Sequence, residues 1–325
     1  MPRVSVILNC YNQGEYVAEA VESVLSQTFR DFELLIVDNG SNDDTPQVLQ
    51  KYASDPRVRL FLHKENVAIS RRFNEALDAV QSEFISFLYS DDYYLPHKLE
   101  CQVALFDQLG PEYGVVYGPG FMLNQATGER WVNPCMDFSG AILQNMLLDV
   151  GRGSINMISP MTRKVCFDGR RFYEDLFAEG EAMFFRIAMQ YKFAYCEVPL
   201  AVMRDHGGNA GKAFKVNTEM VMTCIDRWES DPFLPAGRTA DTESYRAAIL
   251  TNSAWSMIRI NADAGWARKA FVRAVKTKPS RVVHPRVLAG VLLSFVPAAL
   301  RRSLNSWANK VRKVKRNSVY VEGYR

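Results

Sequence analysis

Two adjacent carboxylates, Asp91 and Asp92, come shortly after the apolar segment FISFLY at 84–89. A short run rich in aromatic and β-branched residues predicts a buried strand, so the pair falls where a strand passes into a loop. Like charges this close repel, and a dry pair would keep one proton unless a cation lies beside it. Mg²⁺ and Mn²⁺ prefer oxygen ligands, and Mg²⁺ commonly joins one or two carboxylates to substrate phosphates. The pair therefore predicts a divalent-cation site for a phosphate-bearing ligand.

The elements that would position this pair follow from the hydrophobic pattern. Apolar runs predict strands over 4–10, 32–38, 58–63 and 83–92, while helical spacing and helix-start residues predict helices over 15–28, 43–54 and 68–81. Strands that alternate with helices predict the α/β class, with a mainly parallel sheet and helices on both faces. Ligands of such sheets bind beyond the C-terminal ends of the strands, where this chain places Tyr11, Asp38, Asn39 and the aspartate pair.

Composition and cysteine use limit the function classes. The chain has 325 residues, 48% hydrophobic and 23% charged, which suits one large globular domain or two smaller ones. The apolar segment 4–10 is followed too soon by polar residues for a signal peptide. The six cysteines are scattered without a CxxC pair, which favours reduced thiols over a disulfide framework or a zinc site. We therefore expect a cytoplasmic protein, without a nucleic-acid partner.

The C-terminal part of the chain differs in charge from the rest. Residues 264–325 hold 15 Lys and Arg and one acidic residue, which leaves 24 basic and 35 acidic residues in 1–263. The segment 242–280 predicts two helices around 264–265. The apolar run 287–300 is shorter than the roughly 20 residues that span a bilayer, and Trp307 and seven Lys and Arg between 301 and 316 follow it. This pattern predicts a helix at an anionic membrane surface; a helix packed on the protein or a solvated basic end are the alternatives.

Longer stretches resemble a known family. Residues 3–100, with VSVILNCYNQGEYVAEAVESVLSQTFRDFELLIVDNGSNDDT and SEFISFLYSDDYYLPHKLE, resemble family 2 glycosyltransferases of the Rossmann-like GT-A fold, and 175–209 resembles them again in EDLFAEGEAMFFRIA and VPLAVMRDHGGNAG. The resemblance implies transfer of a sugar from a nucleotide-diphosphate donor to an acceptor hydroxyl, with inversion, in polysaccharide or glycolipid synthesis. It implies a catalytic domain over 1–212, with a nucleotide-binding half of about 1–100 and an acceptor half of 101–212, before a helical region over 213–325.

Family resemblance also assigns the donor-binding residues. Asn9 and Tyr11 would lie against the base and ribose, and Asp38 matches the first carboxylate of a DDGS-like motif that holds the nucleoside. Asn39 replaces the usual second aspartate, and because an amide both donates and accepts, the base is left open. We expect a UDP-sugar, with dTDP- and GDP-sugars as alternatives.

Two further motifs surround the phosphates. ENVAISRRFNEAL at 65–77 resembles NxGxxxxRNxG, so Arg71 and Arg72 either reach the diphosphate or belong to a solvated helix face. Asp91 and Asp92 match the family's DXD-type motif, with Asp92 as the ligand of Mg²⁺ or Mn²⁺ and Asp91 on the ribose or a metal-bound water.

The loop MRDHGGNAG at 203–211 resembles RxHxxN. On that resemblance, Arg204 would face the donor phosphates and His206 the metal.

The attacking hydroxyl must lose its proton to a positioned carboxylate. The family places this base before a helix, where the chain reads Glu179-Gly180-Glu181. Counting back from Arg186 places the usual aspartate at Gly180, whereas counting from 184–185 favours Glu181. We expect Glu181 to be the base, Glu179 second and Asp175 third, and the alternative is that both glutamates are helix-start charges.

Two other function classes remain open on the sequence. A nucleotidyltransferase would carry a glycine-rich, lysine-containing loop after its first strand, where this chain has CYNQGEY. A non-catalytic sugar-nucleotide binder or membrane scaffold would lack turnover of the donor. For an enzyme, we expect a glycan or lipid-linked acceptor at the inner face of the cytoplasmic membrane.

Overall fold

The computed structural model describes residues 1–133, 135–176, 180, 182–209, 213–260 and 262–304. These residues form two compact units. The first contains the described residues of 1–209 together with 231–234, and the second contains the described residues from 213 to 230 and from 235 to 304. All six cysteines are free thiols.

The first unit contains eleven strands and six α-helices among the described residues. The strands are β1 Val4–Cys10, β2 Phe32–Asp38, β3 Val58–Leu62, β4 Phe84–Tyr89, β5 Tyr93–Tyr94, β6 Tyr113–Tyr117, β7 Gly120–Asn124, β8 Arg130–Asn133, β9 Met161–Arg163, β10 Lys192–Tyr195 and β11 Ala201–Asp205. The helices are α1 Val17–Leu25, α2 Thr45–Gln50, α3 Ile69–Ala79, α4 Lys98–Phe106, α5 Leu143–Leu148 and α6 Ala182–Ala188.

Seven strands form the main sheet in the order β10-β6-β9-β4-β1-β2-β3. Its pairs are parallel, except that β9 runs antiparallel to both β4 and β6. The predicted α/β class with a mainly parallel sheet is confirmed. A smaller sheet has the order β5-β11-β7-β8.

The register of the main sheet brings three polar strand ends together. β1 lies between β2 and β4, with Cys10 opposite Asp38 and Asn9 opposite Tyr89. β1 is buried along its whole length, because every residue has a sheet or helix neighbour on both faces. The segments that follow β4, β1 and β2 therefore leave the same edge of the sheet side by side.

A buried polar network anchors β4 behind this edge. Lys98 of α4 is fully buried and donates to Ser86 Oγ of β4 at 2.7 Å and to Gln102 Oε1 at 2.8 Å. Burial lowers the pKa of Lys98 well below its usual range, because the charged amine loses hydration. Gln102 in turn donates to the carbonyls of Val116 and Ser159. The network fixes β4 against α4 and β6.

The second unit is helical, with α7 Phe214–Glu229, α8 Thr239–Arg259, α9 Ala264–Thr277 and α10 Pro285–Ser294. The two helices expected within 242–280 are α8 and α9, and the Asp263 side chain caps α9 by accepting from Trp266 N–H. Residues 298–304 are helical again. The predicted basic segment beyond them, with Trp307, lies outside the described residues. No helix in the described part of the chain is both long and apolar enough to cross a membrane.

Candidate active site

The loops after β1 and β2 are bound to each other. Asn12, at a φ of 52°, donates its N–H to Ser41 Oγ at 2.8 Å, and its side-chain oxygen accepts from Asn42 N–H at 2.9 Å. Asn9 is buried, and its Nδ2 has no hydrogen-bond partner among the described residues. Tyr11 is 38% exposed. The two residues predicted to contact base and ribose thus lie at this edge of the sheet. Asn9 has a hydrogen-bond donor without a partner among the described residues, and Tyr11 has a partly exposed ring.

Asp38 is buried at the end of β2 and folds back on its own turn. Its carboxylate accepts from Ser41 N–H at 3.2 Å and from the Ser41 hydroxyl. Burial, and then the charge of Asp38, raise the pKa of the neighbouring Cys10 thiol well above its usual range, so that the thiol stays protonated. The carboxylate therefore belongs to a fixed turn beside β1.

All four hydrogen-bonding positions of the Asn39 amide are used within the protein. Its Nδ2 donates to Asn66 Oδ1 and to the Val67 carbonyl, both at 2.8 Å. Its Oδ1 accepts from Val67 N–H at 3.1 Å and from Arg72 Nε at 2.8 Å. Asn39 therefore clamps the loop before α3, and its predicted contact with the donor base remains a prediction.

The two arginines of α3 differ in exposure. Arg72 is 5% exposed, and besides Asn39 it binds the Glu65 carbonyl and the Glu75 carboxylate, each at 2.8 Å. Arg71 has an exposed side chain, 3.3 Å from Glu75. Both line an open cleft of about 240 Å³, together with His63, Lys64, Glu65 and Val67. The cleft wall is basic, and of its two arginines Arg71 has the exposed side chain whereas Arg72 is held inside the fold.

The aspartate pair after β4 is held by β11 and the loop that follows it. Asp92 is 7% exposed and accepts Arg204 N–H on Oδ1 at 2.8 Å. Loss of hydration, and then the charge of Asp91, raise the pKa of Asp92 well above its usual range. Asp91 Oδ2 lies 3.1 Å from His206 Nε2 and 3.4 Å from Asn209 Nδ2. Asp91 thus has side-chain donors, while the Asp92 carboxylate is buried next to a second negative group.

Arg204 ties this pair to two other elements. Its Nε donates to the Asp91 carbonyl, and its Nη1 donates to Gln125 Oε1, each at 2.8 Å. Its Nη2 binds Glu19 of α1, and the guanidinium lies over the rings of Tyr16 and Tyr93 at 5.2 and 5.3 Å. The predicted donor-phosphate ligand is 6% exposed and acts in this structure as a support for the acid pair.

His206 uses both ring nitrogens in hydrogen bonds. Its Nδ1 accepts from Gly208 N–H at 3.2 Å, which assigns the proton of the neutral ring to Nε2, the nitrogen that faces Asp91. The ring also packs against Tyr16 at 5.1 Å between centroids. His206 therefore lies on Asp91, and its predicted coordination of a metal remains a prediction.

The segment that leads to the predicted base is anchored to α3 and α6. Asn74 exchanges two hydrogen bonds with the backbone of Phe172, at 2.9 and 3.0 Å, and donates to Glu174 at 2.9 Å. Arg186 donates to the Arg171 carbonyl at 2.7 Å. These contacts fix the chain just before the Glu-Gly-Glu segment.

Gly180, the one described residue of the Glu-Gly-Glu segment, lies near the last residue of β4. It has a φ of 44°, and a Cβ atom built on it would lie 3.6 Å from the Tyr89 hydroxyl, two residues before Asp91. Glu179 and Glu181 lie outside the described residues. Gly180 itself therefore lies beside the Tyr89 side chain, and the predicted roles of Glu179 and Glu181 remain predictions.

Comparison with known proteins identifies the first unit. Residues 5–165 match the family described as Glycosyl transferase family 2. The chain belongs to glycosyltransferase family 2. The resemblance seen in the sequence is thereby confirmed.

Curated relatives of this family 2 protein align over part of their length. A putative teichuronic acid biosynthesis glycosyltransferase of Bacillus subtilis, TuaG, is 39% identical over 103 residues, which cover 31% of this chain and 41% of the relative. The chain spans between 25% and 33% of the length of three other curated glycosyltransferases that it matches.

Solved structures share the fold of the family 2 protein over most of its chain. S. aureus TarS 1-349, in complex with UDP-GlcNAc, aligns with a TM-score of 0.65 at 16% identity, covering 95% of this chain and 92% of TarS 1-349. The Pyrobaculum calidifontis mannosyltransferase, in complex with GDP-Man and Mn²⁺, aligns with a TM-score of 0.60 at 14% identity, covering 94% and 88%. These alignments confirm the GT-A architecture.

Several residues of the family 2 site were absent from the sequence prediction. Asn66 and Asn209 stand within the motifs that carried the resemblance, so each had a signal that was not used. The contacts of Glu19, Tyr16 and Gln125 with Arg204 had no sequence signal, because they join residues that are 79 or more positions apart.

Proposed function

We propose that the protein transfers a sugar from a nucleotide-diphosphate donor to an acceptor hydroxyl, with inversion at the anomeric carbon and with the help of a divalent cation. The observation that carries the proposal is the buried Asp92 carboxylate beside Asp91, at the sheet edge that also holds Asp38. Family membership supports sugar transfer as the reaction, and the Mn²⁺ of the mannosyltransferase complex supports a cation of this kind.

The donor set at the end of β4 fits a cation. Asp91 and Asp92 offer carboxylate oxygens, the ligands that Mg²⁺ and Mn²⁺ prefer. Among the described residues, no group of three or more His, Cys, Asp and Glu is placed to hold a metal. Two protein carboxylates therefore suit an ion whose other oxygens come from donor phosphates and water. A bound cation would stabilise the negative charge of the leaving diphosphate.

The chain's own residues orient the donor and its metal ligands. Arg204 and His206 hold the Asp91–Asp92 turn through hydrogen bonds, and Asn39 and Arg72 hold the loop beside the cleft. Asn9 Nδ2 is the buried donor left for the nucleoside, and Tyr11 offers an exposed ring. Arg71, which can leave Glu75, is the arginine available for the diphosphate.

The general base is assigned to Glu181, with Glu179 as the alternative. The assignment rests on the family resemblance of this segment, and the location of Gly180 beside the Tyr89 side chain of β4 supports it. A carboxylate there can accept the proton of the attacking hydroxyl as the new glycosidic bond forms and the diphosphate leaves.

The donor is proposed to be a UDP-sugar, with dTDP- and GDP-sugars as alternatives, and the acceptor a glycan or a lipid-linked glycan. The TarS complex contains UDP-GlcNAc and the mannosyltransferase complex contains GDP-Man. The similarity to TuaG, a putative teichuronic acid biosynthesis glycosyltransferase, supports a role in surface-polysaccharide synthesis.

The proposal is tested by donor turnover in the purified full-length protein. We expect one nucleotide sugar to raise the melting temperature with Mn²⁺, and to be consumed with release of the nucleoside diphosphate, both effects being lost with a chelator. Glu181→Gln keeps the size of the side chain and loses its basicity, so donor binding should persist while turnover falls by about 10²–10⁴-fold.

Glu179→Gln is the matched control, because it changes the other glutamate of the same segment. Full turnover in Glu181→Gln together with loss in Glu179→Gln would assign the base to Glu179. Turnover that survives the chelator unchanged would refute the cation, and absence of turnover with every donor would favour a binding protein.

A further inference from the structure

The outward side of α10 is apolar. Leu288, Leu292 and Phe295 follow one another at a spacing of four and three residues, which places them on one side of the helix. They are 52%, 71% and 72% exposed. Val283 before the helix and Leu300 after it are 72% and 54% exposed. We call these five side chains the α10 outer face.

The buried side of α10 consists of residues that allow close packing against α9. Val287, Gly290 and Ser294 are buried, and a Cβ atom on Gly290 would lie 2.3 Å from the Phe271 ring of α9. α10 therefore packs through Val287, Gly290 and Ser294, and the side chains of Leu288 and Leu292 are left outside. An amphipathic helix of a soluble unit normally has the reverse arrangement.

The charged residues of 264–304, the segment that contains α10, have one sign. Arg281, Arg286 and Arg302 lie close to the residues of the α10 outer face in the sequence, which holds no acidic residue between 264 and 304. The Arg268 guanidinium lies 5.0 Å from the Phe295 ring and donates to the Ser294 carbonyl, so that a cation adjoins this exposed aromatic ring. Two copies of such a face would repel each other, whereas an anionic surface would attract it.

We propose that the α10 outer face docks on an anionic lipid surface, with Leu292 and Phe295 entering the headgroup boundary and the arginines on the phosphates. Apolar residues on one side of a helix with Arg around them are the pattern of interfacial membrane binding. The sequence of 305–325 contains further Lys and Arg residues, which have the same positive charge. Docking of this kind would hold the protein at the inner face of the cytoplasmic membrane.

Vesicle flotation of the full-length protein tests the proposal without any need for turnover, so its result is separate from that of the proposed function. The parent protein should float at low salt with vesicles of equal parts phosphatidylcholine and phosphatidylglycerol, and less with phosphatidylcholine alone. Added salt should weaken flotation, because screening acts over about 10 Å at 0.1 M. L292E/F295E should weaken vesicle binding by about tenfold or more.

The matched control is V216E/I260E, which places the same two charges on exposed apolar positions of α7 and the end of α8, 56% and 57% exposed. It should keep most of the binding. Melting temperatures would show that both variants are folded. As a second measurement, Phe295→Trp should add fluorescence that shifts to the blue with anionic vesicles only.

Four outcomes would overturn the proposal. The parent could fail to float with anionic vesicles, or could float equally with neutral ones. The control could lose as much binding as L292E/F295E. Finally, light scattering could show a dimer that L292E/F295E converts to a monomer while flotation is unchanged, which would make the face an interface between copies.

Discussion

The ends of β2 and β4 carry similar residue pairs, which differ in how the protein surrounds the second residue of each pair. In the pair at β2, Asp38 and Asn39, the amide of Asn39 makes all four of its hydrogen bonds within the protein. In the pair that follows β4, Asp91 and Asp92, the carboxylate of Asp92 is buried beside another carboxylate and has a raised pKa. An amide side chain can form all of its hydrogen bonds inside a fold. A second carboxylate adds a negative charge that the surrounding protein does not neutralise. The unmatched position is where an external cation is expected.

The largest effect is expected from Asp92→Asn, which removes the unmatched charge and keeps the shape. Binding of the nucleotide donor in the presence of Mn²⁺ should weaken by about 100-fold or more. The protein without metal should melt at the same or a higher temperature, because a buried carboxylate is replaced by a neutral amide. Calorimetry of donor binding measures the first effect. If Asp92→Asn binds the donor as tightly as the parent in the presence of Mn²⁺, the Asp92 carboxylate is not a cation ligand.

A smaller effect is expected when the support of the acid pair is altered. Arg204→Lys keeps the charge but cannot reach the Asp91 carbonyl, Gln125 and Glu19 together. We expect Mn²⁺-dependent donor affinity to fall by about 10–100-fold, as for groups that orient metal ligands. Gln125→Ala removes only one of these contacts and should have a weaker effect. Equal affinity for Arg204→Lys and the parent would contradict a supporting role for the guanidinium.

The smallest effect on donor binding is expected at the end of β2, where the hydrogen bonds of Asn39 are all made within the protein. Asn39→Ala leaves buried partners on Val67 and Arg72 without their hydrogen bonds, so the free energy of unfolding should fall by about 1–3 kcal/mol. Chemical denaturation measures this loss. Arg71→Ala, at an exposed neighbour, should change stability by about 0.5 kcal/mol or less. If Asn39→Ala is as stable as the parent but no longer binds the donor, Asn39 reads the base, as the sequence predicted.

The strands of the main sheet could be predicted from the sequence where each forms a continuous apolar run. The bounds of β1 and β2 agree with the predicted strands, because both are apolar runs that end at polar residues. α2 covers Thr45–Gln50 rather than 43–54, because the chain turns after Gln50. β9 was not predicted, since three residues carry no periodicity and its pairing with two distant strands is a tertiary effect.

The common location of several predicted site residues could be inferred from the sequence, but the contacts between them could not. The strand ends correctly indicated that Asp38, Asn39 and the aspartate pair share one edge. The sequence could not show that Arg72 turns inward to Asn39, because this contact joins residues 33 apart. Nor could it show that His206 binds Asp91 while Asp92 accepts from a backbone N–H, which are contacts over 115 and 112 residues.

The position of β9 has a consequence for synthesis of the chain. β4 is paired on one side by β1, but its other edge is covered only by Met161–Arg163, which arrive more than 70 residues later. At 5–20 residues per second, a ribosome would leave that edge bare for about 4–15 s. An apolar strand with an open edge is a template for pairing with other chains. Until β9 joins the sheet, the nascent chain therefore exposes an edge at which other chains can pair.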